Sequence, residues 1–145
     1  MPDFCEQPLR NASLDEIREI LRSARTIAVV GLSDKPDRAS YHVAAYLQQH
    51  GYRIIPVNPA LREVLDEKCY SSLRDIPIPI DLVDIFRKPD AVPEIVDAAI
   101  VVGAKAIWMQ EGVVHNAAAA KAREAGLAVV MDRCTLKEHL RLSAV

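Results

Sequence analysis

The residues best suited to chemistry in this sequence form a loop with one glycine, one serine and two basic side chains. The loop follows an apolar segment and contains Gly31, Ser33, Lys35 and Arg38. Gly31 can form a tight turn, while backbone N–H groups, the Ser33 hydroxyl and the positive end of a following helix can hold a phosphate group. In the alternative interpretation, Ser33 and Ser40 only cap backbone groups and the basic side chains are solvated. The position of the loop favours phosphate binding.

The nucleotide suited to this loop is not predicted to be NAD. An NAD-binding loop carries the pattern GxGxxG, of which only the glycine at position 31 is present. An NAD site also places a carboxylate after the second strand to accept the ribose hydroxyls, whereas this chain has Asn58 and Pro59 there. Adenosine with a different phosphate arrangement therefore fits better, although the missing carboxylate alone does not exclude NADP.

The remaining reactive residues are not spaced as a catalytic or metal site. The four histidines fall in predicted helices or at their ends without a carboxylate at recognisable spacing, which favours surface or capping roles. Asp81, Asp84 and Asp132 lack acidic partners at metal-site spacing, so no metal is predicted. The three cysteines lie far apart, and neither a disulfide framework nor a zinc site is expected.

Apolar segments alternate with amphipathic ones along the chain, and the apolar segments predict strands that are buried on both faces. These predicted strands are Thr26–Val30, Arg53–Val57, Leu82–Phe86, Ala106–Met109 and Leu127–Met131. Helices are predicted before, between and after them, the last one capped by Thr135. The alternation predicts right-handed βαβ units and an α/β, Rossmann-like doubly wound sheet of about five parallel strands with helices on both faces.

Local signals add detail to this architecture. A capping box beginning at Ser13 predicts a short helix within an N-terminal segment, residues 1–24, that packs on a single domain of residues 25–145. Pro56 removes a hydrogen-bond donor from the second strand, which indicates an edge or strand-end position. Residues 60–79 are polar and rich in proline, so we expect a crossover loop with at most one or two short turns. Trp108, inside the fourth strand, is expected in the core.

The apolar faces of these elements define a predicted core. It consists of Ile27, Val29, Val43, Leu47, Ile55, Val57, Val83, Ile85, Ile95, Val96, Ile107, Met109, Val129 and Met131. The alanine-rich helix around residues 117–125 could pack on the sheet or on a second subunit, so the sequence leaves both a monomer and a homodimer open.

Composition limits the class of protein. A chain of 145 residues fits one domain, and its net charge of -2 comes without the basic stripe that nucleic acid would need. No apolar run approaches the roughly 20 residues of a membrane span, and the acidic start lacks the apolar region of a secretion signal. We expect a cytoplasmic protein with reduced thiols and no nucleic-acid or membrane partner.

Four segments form a specific combination when taken together, although each alone is weak. They are Val30-Gly31-Leu32-Ser33, Pro36-Asp37-Arg38-Ala39-Ser40-Tyr41, Gly51-Tyr52-Arg53-Ile54-Ile55-Pro56-Val57-Asn58-Pro59 and Met131-Asp132-Arg133-Cys134. Through them the chain, from about residue 25 to residue 142, resembles the small stand-alone CoA-binding proteins related to the N-terminal CoA-binding domain of the succinyl-CoA synthetase alpha subunit.

The resemblance implies that coenzyme A or an acyl-CoA binds to the loops after the strands. The loop from Gly31 to Ser33 would take the pyrophosphate, with Arg38 and Lys35 near the phosphates. Further along, the resemblance places adenosine beside the second strand and the pantetheine arm beside the fourth. The full set of expected ligand-binding residues is Gly31, Leu32, Ser33, Lys35, Pro36, Arg38, Ser40, Tyr41, Asn58, Pro59, Phe86, Arg87, Gln110, Gly112 and Cys134.

Cys134 follows the fifth predicted strand, where its thiol could meet the thiol of CoA or be protected by it as a mixed disulfide. Such reactivity requires a lowered pKa. A buried, inert cysteine is the favoured alternative, since cysteine is among the most buried residue types.

The function implied by the resemblance is binding of CoA or an acyl-CoA by a non-catalytic protein. The synthetase family needs a second domain with a phosphorylated histidine and an ATP-grasp partner, and neither fits in 145 residues. Three alternatives remain open: an NADP-dependent reductase, one subunit of an acyl-CoA ligase completed by another chain, and an interaction scaffold.

Overall fold

Five short apolar strands form one parallel sheet, as the sequence predicts. The computed structural model describes residues 6–143, so Cys5 lies outside the described residues. The elements, in chain order, are α1 (Leu14–Ser23), β1 (Thr26–Val30), α2 (Ala39–Gln49), β2 (Arg53–Val57), β3 (Glu63–Val64), β4 (Glu67–Lys68), β5 (Leu82–Ile85), α3 (Val92–Val101), β6 (Ala106–Met109), α4 (Asn116–Glu124), β7 (Ala128–Val130) and α5 (Thr135–Ser143). Two short 3-10 turns, Leu73–Asp75 and Pro89–Ala91, lie before β5 and α3.

The strand order reverses once across the sheet. The strands lie in the order β2-β1-β5-β6-β7, all parallel, so the chain runs outward from β1 to β2 and then returns to build the other side from β5. The reversal point lies between β1 and β5, and in open α/β sheets ligands bind outside the carboxyl ends of the strands at such a point.

Helices cover both faces of the sheet, as predicted. On one face, Ile17 of α1 and Leu47 of α2 share a core cluster with Val29 and Trp108. On the other face, Val96 of α3 belongs to the cluster that contains Ile85 and Ile107. Every residue of the predicted core is buried, and Trp108 is fully buried. The alternation of strand and helix in the sequence therefore identified the layers correctly.

The alanine-rich helix α4 packs on the sheet. Ala118, Ala119 and Ala122 are buried within the same cluster as the β6 side chains, while Ala117 and Ala120 are exposed. Small side chains allow this close approach of a helix to a sheet.

The second strand is an edge strand, which confirms the expectation from Pro56. On the side away from β1, the backbone N–H of Tyr70 donates to the Pro56 carbonyl at 2.9 Å, and the N–H of Asn58 donates to the Tyr70 carbonyl at 2.9 Å. Residues 60–79 therefore hold more structure than the predicted loop, because they also form the β3–β4 hairpin. Leu65 and Asp66, at its turn, both have positive φ angles, of 55° and 61°.

The N-terminal segment lies along α4 and the β7 end of the sheet. Ser13 and Glu16 form the predicted capping box at the start of α1. Upstream, the Asn11 side chain donates to the Met131 carbonyl at 2.8 Å and accepts from the Met131 N–H at 2.9 Å. Asn116 accepts from the Leu9 N–H, so α4 also holds this segment.

One helix boundary differs in its chemistry from the prediction. Thr135 is the first residue of α5, but its hydroxyl does not cap the helix: it donates to the Asp84 carboxylate at 3.0 Å. The predicted capping role is wrong because a buried acceptor from β5 lies within reach. Within residues 6–143, no helix is both long enough and apolar enough to cross a membrane.

Candidate functional site

The turn after β1 is formed by Gly31, at a position that only glycine can occupy without strain. Gly31 has a φ of +86°, and its N–H donates to the Val57 carbonyl of β2 at 2.9 Å. A Cβ at this position would lie 2.5 Å from the Phe86 carbonyl oxygen after β5. The backbone loops that follow β1 and β5 therefore meet at the point where the strand order reverses.

The predicted phosphate loop is held by its own serines. The Ser40 hydroxyl accepts from the Ser33 N–H at 3.0 Å, and the Ser33 hydroxyl accepts from the Lys35 N–H at 3.1 Å. These contacts match the structural interpretation of both serines. They use the hydroxyl oxygens as acceptors, however, so each hydroxyl proton remains available to donate to an anion.

The amino end of α2 faces this loop with unpaired donors. Arg38 occupies the N-cap position, and no side chain of residues 6–143 caps the first turn, which also lacks an acidic residue. The first N–H groups of an uncapped helix point outward and carry partial positive charge. With eleven residues, α2 is long enough for this charge to develop. The arrangement suits a phosphate group.

Asn58 connects the loops after β1 and β2. Its side-chain amide donates to the Leu32 carbonyl at 3.1 Å, and its carbonyl oxygen accepts from the Ala60 N–H at 2.9 Å. The Leu32 side chain is fully buried, so only its backbone borders the site. Asn58 thus shapes the wall of the site rather than presenting a free polar group.

Two clefts open at this edge of the sheet and share Gly31 and Asn58. The larger, which we call the loop cleft, has a volume of about 450 Å³ and is lined by Gly31, Ser33, Asp34, Arg38, Ala39, Ser40, Asn58, Leu61 and Phe86. The second, which we call the β2 cleft, has a volume of about 360 Å³ and is lined by Val30, Gly31, Val57, Asn58, Pro59, Ser71 and Arg87. Both lie at the carboxyl ends of β2, β1 and β5.

A group of buried polar side chains lies further along the same edge, from β5 toward β7. We call it the buried polar cluster: Asp84 in β5, Gln110 after β6, and Thr135 at the start of α5. The Gln110 side-chain nitrogen donates to Asp84 Oδ1 at 2.7 Å and to Thr135 Oγ1 at 2.9 Å. Burial raises the pKa of Asp84 to about 7, against the opposing effect of hydrogen bonds from Gln110 and Thr135.

The loops after β6 and β7 are joined beside this cluster. The Gly112 N–H donates to Asp132 Oδ1 at 2.7 Å, and the Trp108 indole donates to the Arg133 carbonyl at 2.9 Å. Cys134 is buried here, and its burial raises the pKa of the thiol. A raised pKa disfavours the thiolate, so the geometry does not activate this cysteine.

The structure brings the predicted site residues together in two groups. Around the two clefts lie Gly31, Ser33, Arg38, Ser40, Asn58, Pro59, Phe86 and Arg87. Lys35 and Pro36 are exposed on the same loop, and Tyr41 is partly buried against the core. Gln110, Gly112 and Cys134 lie at the far end of the edge.

Sequence reasoning missed several residues of this edge. Asp34 lies inside the predicted phosphate loop but was not among its expected binding residues, and Leu61 and Ser71 come from residues 60–79, which show no binding pattern. Asp84 was considered only as a metal ligand, although one carboxylate inside an apolar strand was itself a signal that a buried partner must exist.

Comparison with known proteins identifies the family. The profile of a CoA binding domain matches residues 25–140. Over 131 residues, covering 90% of this chain and 97% of the relative, the chain is 43% identical to the uncharacterized protein YneT of Bacillus subtilis (strain 168). A hypothetical protein from Pyrococcus horikoshii OT3 has the same fold, with a TM-score of 0.90, 45% identity and 99% of each chain covered.

Larger relatives carry a matching region. Over 73 residues, about half of this chain, the sequence is 34% identical to the ADP-forming acetate–CoA ligase II of Archaeoglobus fulgidus, and the match spans 11% of that ligase. This chain belongs to the CoA binding domain family, as a small relative of the CoA-binding region of ADP-forming acetate–CoA ligases.

Proposed function

We propose that this protein binds coenzyme A or an acyl-CoA as a stand-alone, non-catalytic CoA-binding protein. The observation that carries the proposal is the uncapped amino end of α2, which faces a cleft at the reversal point of the sheet. Family membership supports CoA as the nucleotide.

The charge and shape of each part of the carboxyl edge suit a different part of the proposed ligand. The pyrophosphate would accept from the first N–H groups of α2 and from the Ser33 hydroxyl, with Arg38 supplying positive charge. Adenosine would lie in the β2 cleft, against Pro59 and Arg87. The pantetheine arm would then pass Phe86 toward Gln110. Each part would meet groups of matching polarity.

The sequence of this edge suits CoA better than NADP. The loop has one glycine where a dinucleotide loop has three, and Asn58 spends both ends of its side-chain amide on backbone groups. Asn58, which follows β2, supplies no carboxylate for the ribose hydroxyls of NAD, and its amide is already bonded to two backbone groups.

A second candidate is one subunit of an acyl-CoA ligase that another chain completes. It is favoured by the match to a region of the acetate–CoA ligase of Archaeoglobus fulgidus. Copurification of the protein from its own cells with an ATP-grasp chain would support this function over that of a stand-alone binder.

The proposal extends to the surroundings of the protein. We place it in the cytoplasm, where CoA and reduced thiols such as Cys69 and Cys134 occur together. Its partner would be the small-molecule ligand, with no nucleic acid or membrane involved. A homodimer remains compatible with this function, and light scattering measures it directly.

The first experiment compares ligands by thermal shift and calorimetry. CoA and acetyl-CoA should stabilise the protein, by about 2.7 kcal/mol at a hundredfold excess over Kd, while NAD and NADP should not. The double variant Ser33→Ala, Arg38→Ala should bind CoA roughly 10 to 100 times more weakly, because charge-assisted hydrogen bonds to phosphate are lost.

A matched control is Arg53→Ala. Arg53 is also exposed and basic but begins β2, at the opposite, amino edge of the sheet, so its removal should leave CoA affinity unchanged. Absence of binding at millimolar CoA, or stabilisation by NADP alone, would contradict the proposal. Equal CoA affinity in the wild type and the double variant would show that the site residues are wrong.

A further inference from the structure

The buried polar cluster fixes which end of the Gln110 amide faces the carboxyl edge of the sheet. Both N–H groups of the amide are used inside, one by Asp84 and one by Thr135. The Thr135 hydroxyl donates in turn to the second Asp84 oxygen. All three side chains are buried.

The amide oxygen of Gln110 is the one polar atom of this side chain that the cluster does not use. It has no hydrogen-bond partner within residues 6–143, and none of the buried side-chain polar atoms described there lacks a partner, so this oxygen reaches the surface. Gln110 follows β6 directly, and its N–H donates to the carbonyl of Ile85, the residue before Phe86 of the loop cleft. The backbone of Gln110 therefore lies at the carboxyl edge of the sheet, where the pantetheine arm of the proposed ligand would pass its side-chain oxygen.

We propose that Asp84, acting through Gln110, sets the preference of the site between the free thiol of CoA and the thioester of an acyl-CoA. This inference rests on the proposed CoA-binding function and adds a positioning residue to it. CoA and acyl-CoA share their nucleotide and pantetheine parts. They differ at the end of the arm, where a thiol can donate a hydrogen bond and a thioester carbonyl can only accept one.

The preference between thiol and thioester follows from whether Asp84 is ionised or protonated. An ionised Asp84 accepts only, so the Gln110 NH₂ must face inward and its oxygen outward, where it accepts from a thiol S–H. A proton taken from water by Asp84 gives the carboxyl group a donor. The Gln110 amide then turns so that its oxygen accepts this O–H, and its NH₂ faces outward to donate to a thioester carbonyl.

Both states are accessible near neutral pH, because burial raises the pKa of Asp84 to about 7. In the neighbouring strands, the residues in register with Asp84 are Val29 and Trp108, which do not titrate. The ionisable side chains in the core cluster of this layer are Tyr41 and Tyr46 of α2, Tyr52 before β2 and Cys134 just before α5. The helices of the layer also carry charged or titratable groups: Asp15, Glu16, Arg18, Glu19 and Arg22 on α1, His42 on α2, and Lys137, Glu138, His139 and Arg141 on α5. Glu138 is paired with Arg141 at 2.5 Å, whereas no ion pair within residues 6–143 involves Asp84.

The experiment measures the affinities of CoA and acetyl-CoA from about pH 5.5 to pH 8 by calorimetry. Phosphate and adenine titrations affect both ligands alike and cancel in the ratio of their Kd values. We expect the ratio to change roughly three- to tenfold in favour of acetyl-CoA as pH falls, the effect of one neutral hydrogen bond, with a midpoint near 7.

Two variants separate the cluster from other pH effects. Asp84→Asn removes the titrating group at nearly constant size, and Gln110→Met removes the amide while Asp84 still titrates. In both variants the ratio should be independent of pH. A pH-dependent ratio that persists in either variant would overturn the inference.

A second measurement uses the free protein and does not depend on ligand or on the stability of a variant. The side-chain ¹⁵N amide resonance of Gln110 should shift with a midpoint near 7, because its NH₂ passes from buried acceptors to solvent. A resonance that does not change over this pH range would overturn the proposed reorientation of the Gln110 amide. Saturable binding with a flat ratio in the wild type would overturn the inference alone, whereas no binding of either ligand would overturn the proposed function and the inference with it.

Discussion

The two ends of the carboxyl edge hold their polar groups in opposite ways. At the near end, around the loop cleft, the donors are backbone N–H groups of a loop and a helix end, and Arg38 is exposed. At the far end, around the buried polar cluster, the polar atoms of Asp84, Gln110 and Thr135 are buried and bonded to one another. The first end can meet a charged group at small cost to the fold, because its own charges stay in water.

The second end places a carboxyl group in the core, where its charge costs free energy. It therefore ties local chemistry to the stability of the whole domain. The difference teaches that exposed basic side chains and backbone N–H groups can hold a charged group at little cost to the fold, whereas a carboxyl group changes its protonation near neutral pH only when it is buried. Substitutions at the two ends should differ accordingly.

The largest effect is expected from the pH dependence of Asp84. The pKa of Asp84 is near 3.8 in the unfolded chain and about 7 in the folded protein, so protonation of Asp84 stabilises the folded state. The contribution is fully present below about pH 4 and is lost as pH rises through 7. The free energy of unfolding of the wild type, relative to Asp84→Asn, should fall by roughly 2–4 kcal/mol between about pH 4 and pH 8, as measured by urea denaturation.

The difference between the two proteins removes the titration of every other group. A wild-type minus Asp84→Asn difference that stays constant with pH would mean that the far end resembles the near end in keeping its charge solvated.

The next effect concerns the near end, where the backbone itself is the critical element. Gly31→Ala should destabilise the protein by about 2–3 kcal/mol, since it combines a positive φ with a contact of 2.5 Å to the Phe86 carbonyl. Gly126→Ala is the matched control: its φ of +93° is similar, but no atom lies within 4 Å of the added Cβ. It should cost about 1 kcal/mol.

Chemical denaturation of the two variants measures the difference. Equal losses would show that the approach of the β1 and β5 loops contributes nothing, and that conformation alone selects glycine at position 31.

The smallest effects compare one hydroxyl from each end. Thr135→Val keeps the shape but removes a donor to Asp84 and an acceptor from Gln110, at an expected cost of about 1–3 kcal/mol. Ser40→Ala removes one acceptor from the Ser33 N–H, which water can replace at the mouth of the loop cleft, at a cost of about 0.5–1 kcal/mol. Thermal unfolding at pH 7 ranks the two. A larger loss for Ser40→Ala than for Thr135→Val would contradict the distinction between the buried far end and the solvated near end.

The fold was predictable to the extent that it depends on local pattern. Continuous apolar runs located all five sheet strands, and Pro56 identified an edge strand. The β3–β4 hairpin was missed because its two turn residues, Leu65 and Asp66, adopt positive φ without the Asn-Gly or Asp-Gly sequence that normally signals such a turn.

The placement of the candidate site was predictable in its near half, because a loop that follows a parallel strand lies at the carboxyl edge of the sheet. The far half depends on contacts between distant parts of the chain. Thr135 looks like a helix cap from its neighbours, and only the presence of Asp84, 51 residues away in the sequence, gives its hydroxyl another partner. Local sequence contains no information about which buried acceptor a hydroxyl will meet.

The pairing of Asn11 with Met131 has a consequence for the order of events during synthesis. The residue that covers the backbone at the end of edge strand β7 leaves the ribosome 120 residues before the strand that it protects. Until residue 131 emerges, Asn11 lacks this partner, and afterwards a segment already present holds the backbone at the end of β7. Tags or truncations that disturb residues 6–12 would release the Met131 backbone at this edge strand, and unpaired strand edges recruit other chains into aggregates.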